Sequence, residues 1–537
     1  MSGALIIDIA AYPFEGIVGS SLRQWAHQDA DLKQHVEIHV LPIQTVISVA
    51  RISLSLQLRD GSANIKMPPS SFIDFAVEII ARQAPALVGF TCYVWSIDIV
   101  SQMARSLKKR LPETKILFGG PEVAPIPEQT LDANPDVDFV VYADEGEEPF
   151  RKLLRHLYLK EEGGLSSIPG LAYRHEGKTC KNMAPPWIDL SLAPPIHSAA
   201  PAQFKTTHAL VEASRGCSFT CTYCDWGERQ MRFSPLSKIG LEFRALARAG
   251  TEFIFLTDAD ILMNRQRGAD ILRLFMAETQ STSCVLYFNA NPLFLSREIA
   301  DILALAPQKF QLSLGVQSTN PEVLKRIHRA FDKKRVLANI DYFKKTAPLA
   351  KFGFQLIFGL PGDDLDGFRR SLNWVFKTHP CLVELSPLMV LPGAAVSRQA
   401  EYYAIKHLNV PYYEVLETNT MSSTDIFRAK ELCLYIHCLI GLFPDIIDPK
   451  CFFAPTTATE EFHYIERIES WIAFLKSNGL DLSLPNSSNR DRFDISLARQ
   501  RIREDPVLFA SIAAATQKFL TQRLLPSRPH APCALSR

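Results

Sequence analysis

No apolar run in the chain reaches the length of a membrane-spanning helix; the nearest, Cys433 to Phe443, has a histidine inside it. Long runs of one charge sign are missing too. With 58 lysines and arginines against 57 aspartates and glutamates, nothing in the balance supports a nucleic-acid or membrane surface. The stretch from Met1 to Asp8 lacks a basic segment ahead of its apolar residues, and Asp8 interrupts them, so it is expected to form a first strand and not a signal peptide. Repeats of fixed period and low-complexity tracts are also lacking. These absences predict a cytoplasmic globular protein. In that reducing compartment the eleven cysteines are free to be thiols or metal ligands and should not pair as disulfides.

At 537 residues and 47% hydrophobic, the chain can bury two or three cores. Short apolar runs alternate with helical patterns up to about Leu192: Ala4–Tyr12, a helix near Ser71–Arg82, then Ala86–Thr91, a helix across Ile97–Arg110, Lys115–Phe118 and Phe139–Val141. This predicts an open, mostly parallel, Rossmann-like α/β sheet over 1–192. A proline-rich stretch from Pro185 to Pro201 marks a linker reaching about residue 205. Alternation restarts with strands expected at His208–Ala213, Phe253–Thr257, Val285–Asn289, Phe310–Leu314, Phe352–Phe358 and Val383–Val390. Six successive βα units over 206–421 suggest a partial (β/α)6 barrel. Beyond residue 422 the pattern is helical, at Phe427–Phe443, Glu460–Ser477 and Val507–Leu525.

The most specific chemistry lies in Arg215-Gly216-Cys217-Ser218-Phe219-Thr220-Cys221-Thr222-Tyr223-Cys224, directly after the first strand of the second domain. Three thiolates from one loop can hold three irons of a cubane and leave the fourth open to a chelating ligand. Structural zinc would need a fourth ligand, and no further Cys or His is near. A CxxxCxxC loop with an aromatic residue before its last cysteine resembles the signature of the radical SAM superfamily. The resemblance implies a [4Fe-4S] cluster on Cys217, Cys221 and Cys224 whose open iron binds S-adenosylmethionine, cleaved by one electron to a 5′-deoxyadenosyl radical. It further implies that Tyr223, Asp258, Asp260, Gln317, Ser318, Gly359 and Leu391 surround S-adenosylmethionine. Asp258 and Asp260 stand where the family holds the methionine amino group, although a helix-capping aspartate is the other reading of that loop. Gln317 and Ser318 stand where it meets the ribose and carboxylate. Gly359-Leu360-Pro361-Gly362 and Leu391-Pro392-Gly393 end the fifth and sixth strands as in the family.

Three loops of the first domain sit at expected carboxyl ends of parallel strands, where doubly wound sheets bind nucleotide-like ligands. They are Gly89 to Ser96, Gly119-Gly120-Pro121-Glu122 and Glu145-Gly146-Glu147-Glu148. The set resembles the cobalamin-binding domain found ahead of radical SAM cores, although Asp144 replaces the first glycine of the family's third loop. By this resemblance Thr91, Tyr93, Trp95, Ser96, Gly119, Gly120, Glu122, Glu145, Gly146 and Glu147 contact cobalamin, with Tyr93 or Trp95 near the lower face of cobalt. An Asp-x-His-x-x-Gly motif is lacking, so no histidine is expected to ligate the metal.

The resemblance implies methylation of an unactivated carbon of a small-molecule or peptide substrate, with an electron donor such as flavodoxin or ferredoxin. A cobalamin-dependent radical cyclase or oxidative enzyme is the alternative within the class, and a non-catalytic cobalamin sensor with a vestigial cluster the alternative outside it. A methylthiotransferase needs three further cysteines in the first domain, which before the linker has only Cys92 and Cys180. Cys433, Cys438, Cys451 and Cys533 lack the grouped spacing of an auxiliary cluster, and the first two read as buried thiols in an apolar helix.

Overall fold

The computed structural model describes residues 3–9, 16–42, 69–143, 145–198, 207–226, 229–441, 452, 463–482 and 505–523. Position 144, part of the linker and the cysteines at 451 and 533 lie outside them.

The first domain is a seven-stranded sheet ordered β2-β1-β3-β4-β5-β6-β7. Its strands are β1 (Ala4–Asp8), β2 (Ile38–Pro42), β3 (Leu87–Thr91), β4 (Lys115–Gly119), β5 (Phe139–Val141), β6 (Leu171–His175) and β7 (Lys178–Lys181). β1 and β3 are buried along their whole length, as central parallel strands covered on both faces must be. The cover includes the helix Ile97–Arg110, whose Val100, Met103, Ala104 and Leu107 recur at helical spacing and pack inward. After β1 the chain adds β2 on one side and β3 on the other, so the strand order reverses between β1 and β3, the position where open α/β sheets bind ligands. The hairpin β6/β7 joins antiparallel at the edge of the otherwise parallel sheet. Its two-residue turn has Glu176 and Gly177 both at positive φ, the geometry that matches strand twist.

All six strands expected in the second domain are present: β8 (His208–Val211), β11 (Phe253–Leu256), β12 (Val285–Ala290), β13 (Phe310–Gln317), β14 (Lys351–Phe358) and β15 (Leu382–Pro387). They form one parallel sheet ordered β15-β14-β13-β12-β11-β8, each beside its neighbour in sequence, with β8 and β15 as its two edges: a partial barrel. Just past β8, β9 (Ser214–Cys217) pairs antiparallel with β10 (Arg229–Phe233). The helices Ser423–Gly441, Tyr464–Ser477 and Pro506–Arg523 extend the barrel core into the C-terminal region, where Trp471 is fully buried and donates its indole N–H to Thr516.

Gly120 holds β3 and β4 together at the crevice. Its φ is +121°, and a Cβ there would stand 2.5 Å from the carbonyl oxygen of Cys92. The substitution Gly120→Ala is therefore expected to destabilise the first domain by about 1–3 kcal/mol, the usual cost of such a backbone conformation for an L side chain. Thermal unfolding of cobalamin-free protein measures it, and an unchanged midpoint would refute the requirement.

Candidate active site

The cysteine loop is fixed from both sides by backbone hydrogen bonds: Thr222 N–H donates to Ile327 O (3.1 Å) and Val396 N–H donates to Thr222 O (2.7 Å). Cys217, Cys221 and Cys224 thereby rim a cavity of about 600 Å³ over the carboxyl ends of the barrel strands, a size suited to a small ligand. Among the described residues no three His, Cys, Asp or Glu side chains converge on a single ion. Thiols spread around a cavity rim suit a cubane, whose ligands attach to separate irons. Burial raises the Cys217 thiol and pushes that of Cys224 up to about 11, so iron has to displace protons to bind there.

Of the residues assigned to S-adenosylmethionine, Tyr223, Asp260, Gln317 and Leu391 line this cavity. Asp260 accepts from the backbone N–H of Asn291 and Leu262, and burial lifts its carboxyl to about 7. An ammonium group entering the cavity would return that carboxyl to its charged form. Two buried polar atoms lack partners on the same wall, Oε1 of Gln317 and Nδ2 of Asn291. Unpaired buried polar atoms are costly, and a ligand rich in polar groups satisfies them. The donor set thus fits both a cluster and an amino-acid nucleoside.

Three assigned residues lie elsewhere. Asp258 accepts from Ala213 N–H (2.9 Å) and the Ser214 hydroxyl, bracing the start of β9 from below. The Ser318 hydroxyl accepts from Asn320 N–H at the head of the helix Pro321–Arg326. Gly359, at φ +77°, packs where a Cβ would meet Val415. Two residues that the sequence did not single out occupy the cavity instead. Arg329, buried beside Cys221 (Nη1 to Sγ 3.7 Å), donates to the Gly315 carbonyl and stays charged despite burial because of Tyr223, Cys221 and Asp260. Glu384 accepts from the Tyr287 hydroxyl, the Ser313 hydroxyl and the Gln355 amide.

A second cavity, of about 550 Å³, occupies the crevice of the first domain and is walled in part by the barrel domain. Gly89, Gly119, Gly120, Glu145, Gly146 and Glu147 line it, together with Thr91 and Tyr93. At Gly89 and Gly119 an added Cβ would make only ordinary contacts, at 3.8 Å to Leu117 and 3.7 Å to Val141. Nothing in the protein itself demands glycine at these two positions, whereas a large flat ligand does, so the crevice fits cobalamin. Thr91 accepts from Ile9 N–H (2.7 Å) and Ser96 from Tyr93 N–H (3.0 Å), so both hydroxyls order the loops themselves. Tyr93 and Trp95 stack at 4.6 Å; Tyr93 borders both cavities, and Trp95 and Glu122 face the cysteine side. Glu122 accepts from the Tyr413 hydroxyl (2.5 Å).

A cysteine loop over a partial barrel, set against a doubly wound domain with a glycine-floored crevice, defines a radical SAM enzyme with a cobalamin-binding domain. Residues 211–375 match the radical SAM superfamily and residues 35–154 match the B12 binding domain, so the chain carries both domains. Their cofactors are a [4Fe-4S] cluster, S-adenosylmethionine and cobalamin. The chain is 25% identical over 427 residues to the cobalamin-dependent radical SAM methyltransferase TokK of Streptomyces tokunonensis, across 74% of this chain and 57% of that one. It is 24% identical over 477 residues to the 2-(S-pantetheinyl)-carbapenam-3-carboxylate methyltransferase of Streptantibioticus cattleyicolor, across 80% of this chain and 64% of that one. It therefore spans less than two thirds of the length of either relative. Its fold is similar to that of the cobalamin-dependent S-adenosylmethionine radical enzyme OxsB, with a TM-score of 0.62, 13% identity and coverage of 97% of this chain and 80% of that one. Among the described residues no helix is long and apolar enough to cross a membrane.

Proposed function

We propose that the chain methylates an unactivated carbon of a small-molecule or peptide substrate. The observation that carries this reading is that the two cavities abut: Tyr93, Pro121, Asp225, Trp226 and Gly393 line both. A group carried at the mouth of the crevice therefore faces the space above the cysteine loop without crossing bulk solvent. The names of the two methyltransferase relatives point the same way. When bound, the cluster and S-adenosylmethionine supply a hydrogen-abstracting radical and cobalamin supplies the methyl group.

The protein's own residues hold, orient and exclude. Cys217, Cys221 and Cys224 hold iron; Asp260, Asn291 and Gln317 offer the acceptor and donor atoms for the polar parts of S-adenosylmethionine; Arg329 places a positive charge against the thiolates and any ligand carboxylate. Gly89 and Gly119 leave the crevice floor clear. Pro121 and Trp226 put apolar surface around the shared mouth, and Leu391 lines the barrel cavity beside it, limiting water near reactive species.

The test is anaerobic: reduced protein is loaded with hydroxocobalamin and given methyl-labelled S-adenosylmethionine. Label is expected on the bound cobalamin, with S-adenosylhomocysteine released, and 5′-deoxyadenosine is expected from the same sample. Formation of 5′-deoxyadenosine with no label ever reaching cobalamin would overturn methyl transfer and leave cyclase or oxidative chemistry. A separate prediction concerns Asp260→Asn, which removes the buried charge while keeping the shape. Affinity for S-adenosylmethionine should fall at least about tenfold, in line with charged hydrogen bonds of roughly 1.5–3 kcal/mol. Isothermal titration on cluster-loaded protein measures this, and unchanged affinity would remove Asp260 from the site.

A further inference from the structure

The crevice wall carries a buried ion network that belongs to both domains. Arg215, two residues ahead of Cys217, donates Nη2 to Glu147 (2.7 Å), Nη1 to Glu145 (3.2 Å) and Nε to Glu212 (2.8 Å). Glu145 also accepts from Arg232 (2.6 Å) and from Ile188 N–H (2.7 Å), while Ser21 donates to Glu147 (2.9 Å). Burial opposes the charge on Arg215, yet Glu212, Glu147 and Glu145 hold its proton more firmly than usual. Burial likewise works against the charge on Glu147, and Arg215 outweighs it, so this carboxyl lies below the ordinary range. Half-buried Lys238 adds a further cation facing Glu212 and Glu242.

The acceptors Glu145 and Glu147 come from the third crevice loop, and the donors come from β9 and β10, the ladder that carries Cys217. The two carboxylates are thus engaged by the barrel domain. A surface ion pair would contribute little to register, but in a buried network the loss of one partner strands a charge and is strongly felt.

We propose that Arg215 is a positioning residue that registers the cobalamin crevice on the cluster-bearing strand, with Glu147 and Glu145 as its receptors. The proposal rests on cobalamin occupying that crevice and is independent of whether methyl transfer follows. Removing the guanidinium frees the third loop, which widens the crevice wall and weakens cobalamin without removing any iron ligand.

The experiment is a double-mutant cycle on cluster-loaded protein, read as the dissociation constant of hydroxocobalamin and as iron per chain. Arg215→Gln is expected to weaken cobalamin at least about tenfold, Glu147→Gln to weaken it by a smaller factor, and the pair together to be no weaker than Arg215→Gln alone, since both remove the same tie. Arg215→Lys should recover part of the loss, and iron should remain at the wild-type level in all four. Should Arg215→Gln fail to accumulate, Arg232→Gln with Glu145→Gln forms an equivalent cycle on the same network. Additive effects, no recovery by lysine, or iron lost in step with cobalamin would each overturn the proposal by showing a general structural defect. Cobalamin that fails to bind the wild type would instead count against the crevice assignment itself.

Discussion

Replacing Cys217, Cys221 and Cys224 together by alanine is expected to reduce iron per chain to background, with loss of the cluster's visible absorbance and of its reduced-state paramagnetic resonance signal. The three thiols are the only grouped cysteines in the sequence, and the fold sets all three on one cavity rim. Among the described residues no other cysteine lines this cavity. Cys92 lies in the core of the first domain, and Cys433 and Cys438 are buried within the helix Ser423–Gly441. Cys284 and Cys433 are buried in the barrel core, away from the cavity rim. Alanine at Cys284 or Cys433 should accordingly leave iron unchanged. The triple variant should still retain cobalamin, because none of the three cysteines lines the crevice. Retention of a full cluster in the triple variant would sink the assignment of these ligands.

The sequence made the cysteine loop and the six barrel strands readable because their signals are local. A CxxxCxxC spacing lies within eight residues, and each strand is an apolar run bounded by a turn. The cavity beyond the loop was less legible. Asp258 and Asp260 look equivalent in a four-residue loop, yet one braces β9 and the other lines the cavity; only the path of the backbone separates them. Arg329 and Glu384 enter the site from outside any motif, and their roles depend on which atoms the barrel brings near. Hardest to foresee was the interface. Arg215 meets Glu145 across 70 positions of sequence, and Tyr413 meets Glu122 across 291. Reading the crevice loops alone makes every carboxylate a ligand contact, because the guanidinium and phenol that engage them belong to another domain.

The edge hairpin is a different case, since its signal was present. Gly177 follows Glu176 between the short runs Leu171–His175 and Lys178–Lys181, and a glycine between two short runs is a hairpin signal.

Gly119→Leu is expected to abolish cobalamin retention while leaving both the fold and the iron content intact. The position faces the crevice, its φ is unremarkable, and the first atoms of a side chain there would meet Val141 at 3.7 Å, an ordinary contact. Glycine within a strand costs about 0.5–1 kcal/mol relative to alanine, so a side chain at Gly119 should leave the cobalamin-free protein as stable as before or slightly more so. Binding responds with the opposite sign. A leucine placed in a crevice of about 550 Å³ takes up space the ligand needs, and the packed β-sheet behind it cannot recede. This separates Gly119 from Gly120, where substitution strains the protein's own backbone and would lower cobalamin content by damaging the domain. The measurement compares three quantities in wild type, Gly119→Ala and Gly119→Leu: the unfolding midpoint without cobalamin, iron per chain, and cobalamin per chain after desalting. Alanine should retain part of the cobalamin and leucine almost none, with the other two quantities constant. Full retention by the leucine variant would show that cobalamin does not lie over β4, and loss of cobalamin accompanied by a lowered midpoint would show that Gly119 serves the fold instead of the ligand.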